Sequence, residues 1–391
     1  MRSFTRPVIG AVTAAAMTIA TFPVIVMSVV AADLIEEFEI TRAQVGILVT
    51  ATGVVGAALS PVLGRVTDRI GAVSATRYVL LTGMTALTAV ALAPSYAWLF
   101  AAVLLTGVPN GWSNPATNTL IADNLGLGDR GTITGVKQSG VQVGTFLGGL
   151  VLPALAAIWS WRVAILWFLL IPFGGLAGMV GRRSNQRERS ESDRLDVPIP
   201  VSVRWIALYG YLSGAATSAM FGFLPLFAEE DQLWTPQAAG SLIAVVGLTG
   251  IAGRIMWPRV AERRLGHGPT LRIIAVLSIG TAVLLALAAM GLAGSWVLVP
   301  ASALLGGGAI AWNAVGMVAV MDLSPNGLIG KGTGLVLLGF LLGLASGAPL
   351  MGLSVDALGS YQPGFWVCAL LLVVCVVIAG KVPRGSTLAA Q

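Results

Sequence analysis

Histidine occurs once, as His267, and cysteine twice, as Cys368 and Cys375. So few ligands give no zinc-type spacing. The two thiols lie seven residues apart in one apolar stretch, share a helix face and cannot bridge each other within that helix, so they read as free buried thiols. Charge is scarce too: Asp, Glu, Lys and Arg make up 10% of 391 residues, where a soluble domain carries about 25%. Water is a poor solvent for such a surface. No aspartate or glutamate stands in the middle of any long apolar run; Asp33 and Asp322 lie near the ends of theirs. An embedded enzyme would need a catalytic cluster and a channel a repeated filter loop or charged ring. The sequence offers neither, and it implies no cofactor and no metal.

What the chain does have is grease: 56% of its residues are hydrophobic and the mean hydropathy is +0.87. Apolar runs fall at about 7–32, 43–63, 74–93, 97–122, 132–157, 162–181, 203–228, 236–257, 270–292, 296–321, 329–354 and 363–381. Each approximates the ~20 residues that a bilayer-crossing helix needs. The first run follows Arg2 and Arg6 like a signal peptide, but at 7–32 it exceeds the 7–15 residues of such a segment and reads as an uncleaved helix. The expected fold is an all-α membrane protein with 12 transmembrane helices in two pseudo-symmetric six-helix bundles, residues 1–181 and 203–391. A polar cytoplasmic linker, 182–202, joins them.

Cation placement agrees with that count. With the N-terminus in the cytoplasm and the runs alternating, only Arg42 and Arg162 of 23 basic residues fall on the outer side, as the positive-inside rule requires. Both termini are then cytoplasmic. The net charge of +6 reflects this asymmetry and not a nucleic-acid face, because the cations are scattered between apolar runs. Outer loops are acidic or neutral, with Asp33, Glu36, Glu37 and Glu39, then Glu229, Glu230 and Asp231. Trp98, Trp159, Trp161, Trp234 and Trp296 sit at outer run ends, as an interfacial belt does. The halves echo each other. Asp68-Arg69 matches Glu262-Arg263 at an offset of 194, and Gly107 with Asn114 matches Gly306 with Asn313 at 199.

Polar residues inside the runs mark candidate sites. In the fourth run Asn110, Trp112, Asn114 and Asn118 put three amides where lipid tolerates them poorly, with Asn114 and Asn118 one turn apart. Lys137 lies about 10 Å into the fifth run, counted from Arg130 at 1.5 Å per residue. It either meets a cavity or partner or snorkels to the cytoplasmic surface. Gln138 and Gln142 accompany it. Tyr209 in the seventh run, Arg254 in the eighth, and Trp312 and Asn313 in the tenth complete the candidate substrate-contacting set. Trp112, Asn114, Trp312 and Asn313 are expected to line a site at mid-depth.

Gly64-Arg65-Val66-Thr67-Asp68-Arg69-Ile70-Gly71, just after the second run, fits a G-x-x-x-D-R-x-G loop. With the charge pattern and the echo, the chain resembles the major facilitator superfamily over essentially its whole length. The Lys137-Gln138-Ser139-Gly140 segment is similar to that of cyanate-permease-like carriers, and Arg254 resembles the carboxylate-binding arginine of monocarboxylate carriers. The resemblance implies alternating access, with Gly64, Asp68, Arg69 and Gly71 forming a gating latch against the start of the eleventh run. The second copy, around Glu262 and Arg263, is the corresponding gating candidate and has Pro258 and Leu265 in place of the glycines. It also implies a monomer in a bacterial inner membrane, and uptake of a small organic anion together with H+. The alternative is a drug or metabolite efflux antiporter of the same fold.

Overall fold

The computed structural model describes residues 5–125, 127–182, 199–324 and 329–384. Of the expected linker 182–202, residues 183–198 lie outside them. Every described element is helical: α1 (Arg6–Val29), α2 (Ala31–Phe38), α3 (Arg42–Ile70), α4 (Ala72–Ala91), α5 (Tyr96–Asn124), α6 (Leu127–Ile158), α7 (Trp161–Trp167), α8 (Leu170–Ala177), α9 (Val201–Glu230), α10 (Pro236–Val260), α11 (His267–Ala289), α12 (Leu298–Leu304), α13 (Trp312–Leu323), α14 (Ile329–Leu358) and α15 (Gln362–Ala379). Counting α1 with α2, α7 with α8, and α12 with α13 as single crossings, these are twelve spanning helices.

Local chemistry sets many of the ends. Ser95, Ser160 and Thr235 accept from Trp98, Val163 and Ala238 backbone N–H groups and so begin α5, α7 and α10. Three expectations about the runs need correction. The first run breaks at Val30, and a separate α2 follows, ending at Glu39 with φ 51°. The sixth run is two helices, because Phe168 and Leu169 bond three residues back and tighten the chain. The tenth run is interrupted by a π segment, Leu305–Ala309, between α12 and α13.

The chain forms two compact units, Met1–Ile40 with Leu48–Arg189, and Thr41–Ile47 with Ser190–Gln391. Each is built by the same close approaches. In the first, Cβ atoms added at Gly140, Gly144 and Gly148 of α6 would strike Ala14, Thr18 and Ile25 of α1. In the second, Cβ atoms at Gly339, Gly343 and Gly347 of α14 would strike the carbonyls of Ala207, Tyr211 and Ala215 of α9. The second three glycines follow the first by 199 residues each. Gly107 against Val55 and Gly306 against Thr249 pair off likewise, at offsets of 199 and 194. Without water to drive association in lipid, small residues that let backbones touch are what hold such helices together.

The second copy of the loop motif also needs correction. A π segment, Ala261–Leu265, follows α10, and Gly266 N–H donates to Ala261 O at 2.9 Å. The extra residue in this turn moves the glycine one place on. Gly266 has φ 83°, where Gly71 has 82°, so both α4 and α11 start from a glycine in a conformation closed to other residues. The motif's glycine is present in the second half, displaced by the bulge.

Candidate functional site

Lys137 lies on α6 at 0% exposure. Its Nζ donates to Asn114 Oδ1 at 2.9 Å and to Asn118 Oδ1 at 2.6 Å. The two asparagines stand one turn apart on α5, so a single ammonium reaches both. An ammonium has three hydrogens and accepts nothing, so both amides must present their oxygens to it. Their NH2 groups are thereby turned away from the lysine, and both asparagines are exposed. The result is a buried positive charge capped by two outward amide donors. No carboxylate forms an ion pair with Lys137 among the described residues. Neutral acceptors compensate a buried cation only in part. Chemically this arrangement suits an anion whose oxygens take the amide hydrogens with the ammonium behind them.

The other candidates are placed differently. Asn110 Nδ2 donates to Ala20 O at 3.0 Å and ties α5 to α1. Trp112 is buried, stacks on Tyr78 with ring centroids 5.9 Å apart, and donates Nε1–H to Thr67 Oγ1 at 2.8 Å. It braces the loop motif from inside. Gln138 is half-buried and Gln142 buried, one and five residues on from Lys137. In the second unit Tyr209 and Trp312 are fully buried in one apolar cluster. Their rings lie 5.4 Å apart, and Tyr209 Oη donates to Leu271 O at 3.0 Å. Both are packing residues there. Asn313 and Arg254 are half-buried on α13 and α10. Val336 follows Lys137 by 199 residues and is buried, so the charge is not repeated. Of the latch residues, a Cβ at Gly64 would make ordinary contact with Pro115 at 4.0 Å, Gly71 makes the turn, and Arg69, Glu262 and Arg263 are exposed. The side chain of Asp68 lies outside the described residues.

Two further constellations went unread in the sequence, although their signal was there. Arg42 and Arg162, the two cations that break the charge rule, are both locked in pairs. Arg42 grips Glu230 through Nε at 2.9 Å and Nη2 at 2.7 Å, and Tyr361 Oη donates to the same carboxylate at 2.6 Å. Asp356 accepts from the backbone N–H groups of Arg42 and Ala43 at 3.2 and 2.9 Å and so caps the start of α3. Arg162 pairs with Glu37, donates to Ala93 O at 2.7 Å, and lies 4.3 Å from the Trp161 ring centroid. Trp161 is therefore buried, its indole N–H on Glu37 at 2.7 Å, and it does not join the interfacial belt. Trp98, Trp159 and Trp296 are exposed, as belt residues are.

The Arg162 hydrogen bond holds the Glu37 carboxyl below its usual range, against partial burial and with help from Trp161. Nearby, burial raises the Asp33 carboxyl, and Glu36 and Glu37 raise it further. A depressed carboxylate stabilises the fold above its ordinary value of about 4.3 and loses that contribution as pH falls through the depressed one. Glu37→Gln is therefore expected to lower Tm slightly at pH 7, with the gap to the parent closing toward pH 3. Thermal melts of both proteins across that range check it.

Residues 9–336 match the sequence profile of the Major Facilitator Superfamily. The gallate transporter of Pseudomonas putida is 30% identical over 156 residues, which are 39% of this chain and 34% of that protein. The matched stretch thus spans about a third of that relative. Among solved structures, a bacterial homolog of the human lysosomal transporter Spinster, in its inward-facing and occupied conformation, gives a TM-score of 0.76 at 16% identity. That match covers 97% of this chain and 96% of the other. A D-xylose-proton symporter gives 0.79 at 15% identity, covering 97% and 99%. At such identities the likeness shows the fold.

Proposed function

The chain belongs to the major facilitator superfamily and is a multi-pass membrane transporter, not an enzyme; from that premise we propose that it takes up a small organic anion, a carboxylate, together with H+. The observation that carries this reading is the buried Lys137 ammonium held by two neutral amide oxygens, with the amide NH2 groups turned outward. A carboxylate brings the charge that the asparagines cannot supply, and its two oxygens match two donors spaced one helical turn apart. Gallate, the solute named for the curated relative, is itself a small carboxylate. The D-xylose-proton symporter is a precedent on this fold for proton coupling. With no acid in the middle of a span, a proton enters on the substrate or neutralises it at the site. The distribution of cations supports a bacterial inner-membrane location with both termini cytoplasmic. The same reading takes the protein as a monomer.

Purified protein in proteoliposomes tests this. Uptake of labelled gallate and benzoate is expected to rise when the outside is made acid and to fall when unlabelled carboxylates compete. Uptake of xylose and of an organic cation dye is expected to stay at the background level. Transport of the dye or the sugar, indifferent to carboxylates, would overturn the reading. Carboxylate extrusion driven by the opposite gradient would favour the efflux antiporter.

A further inference from the structure

The chain's one histidine is not part of the Lys137 site, and the transport reading gives it no task. His267 is the first residue of α11 and is 2% exposed. Three segments of the second unit meet there. His267 N–H donates to Arg384 O at 2.9 Å. Cβ atoms at Gly266 and Gly268 would strike the carbonyls of Arg384 and Val382, so backbone presses on backbone. From the last turn of α13, Asp322 Oδ2 lies 2.8 Å from His267 Nε2. The Nδ1 atom is buried and finds no hydrogen-bond partner among the described residues. The repeat sharpens the point. Gly266 answers to Gly71 and Asp322 to Asp123, so His267 stands where the first half has Ala72. Packing at that position is met by an alanine. The imidazole and its pairing with a carboxylate are peculiar to the second unit.

We propose that His267 and Asp322 form a proton-binding joint that holds the start of α11 against residues 379–384 and releases it on acidification. In the neutral form Nε2–H donates to the Asp322 carboxylate, and Nδ1 carries a free lone pair. The proton adds to that lone pair; no other bond forms or breaks. The imidazolium strengthens its bond to Asp322, but that carboxylate is 40% exposed and its gain is screened. Against it stands a new charged N–H at Nδ1, buried without an acceptor, which is the larger effect. The joint therefore loosens until water reaches Nδ1. Other charged groups on the converging segments are Arg272 on α11, Lys381 and Arg384 beyond α15, and Glu262, Arg263 and Arg264 on the π segment. Five of these six are cations. The proposal stands independently of what the transporter carries.

The test uses the full-length protein in nanodiscs, read by amide hydrogen exchange corrected for intrinsic pH dependence. Exchange over 266–271 and 379–384 is expected to quicken about tenfold between pH 8 and pH 5. In His267→Gln, whose amide can still donate to Asp322, it should be flat. Because there is a single histidine, 15N-histidine labelling gives one imidazole signal, expected to gain its second N–H over the same range. Asp322→Asn should alter that transition without abolishing it. An imidazole that stays singly protonated down to pH 5 sinks the proposal. So does unchanged quickening in His267→Gln, or protonation with no change in exchange.

Discussion

Replacing Lys137 with methionine is expected to lower carboxylate uptake about a hundredfold at subsaturating substrate, while the protein melts no lower than the parent. The first half of that outcome follows from charge. Removing one partner of a buried, hydrogen-bonded charge pair costs about 3–5 kcal/mol, and the anion bound over Asn114 and Asn118 would lose the counter-charge that Lys137 supplies. The second half follows from what Lys137 costs the empty protein. An ammonium at 0% exposure with two neutral acceptors is under-compensated, and methionine of similar length removes that cost. Asn114 and Asn118 are exposed, so their freed oxygens can reach water and are not orphaned. A lysine whose role was structural would show the opposite split, with stability falling and uptake following only as folded protein is lost. Asn114→Ala and Asn118→Ala, each deleting one donor, are expected to lower uptake about tenfold apiece. Lys137→Arg should retain part of the activity, since the charge remains on a bulkier head. Initial rates of labelled carboxylate uptake, beside melting curves, decide the matter. Uptake by Lys137→Met within twofold of the parent would end the anion reading.

How far the chain could be read in advance depended on which property was local. Crossing a bilayer is a property of a single run, so the twelve crossings were legible. Cation placement is a sum over loops, and its two exceptions, Arg42 and Arg162, proved to be the two basic residues with acidic partners at that end. What a run cannot disclose is where its neighbours press on it. The break at Leu169 and both π segments leave no mark in the apolar pattern, and the bulge sets Gly266 one place beyond the motif's spacing. The site shows the same division. Asn114 and Asn118 announce a shared face by their spacing, and Lys137 announces a partner by its depth. That the three meet depends on the register between α5 and α6, which neither helix encodes alone. Trp112 and Trp312 carried no mark separating a cavity wall from a packed core, and the structure puts their indoles against Thr67 and Tyr209.

Gly343→Val is expected to leave little folded protein, because α14 and α9 touch backbone to backbone at that level. A Cβ at Gly343 would meet Tyr211 O, with Gly339 and Gly347 meeting Ala207 O and Ala215 O one turn to either side. Ser218 Oγ donates to Leu344 O at 2.8 Å across the same seam. A carbonyl on a helix cannot turn aside as a side chain can, so the helices must separate. That loses packing over several turns, well beyond the ~1–3 kcal/mol of ordinary overpacking. The equivalent change in the first unit should be milder. A Cβ at Gly144 meets Thr18 Cγ2 at 2.9 Å, and a methyl group can shift. Gly334 supplies the internal control. It lies on the same helix with nothing within 4 Å of its Cβ position, so Gly334→Ala is expected to be neutral or to stabilise by up to about 1 kcal/mol through helix propensity. Expression as a monodisperse species and Tm should therefore rank Gly334→Ala at or above the parent, Gly144→Val below it, and Gly343→Val lowest. If Gly343→Val melts within a few degrees of the parent, the two helices are not held by backbone contact, and the glycine spacing repeated 199 residues apart has some other cause.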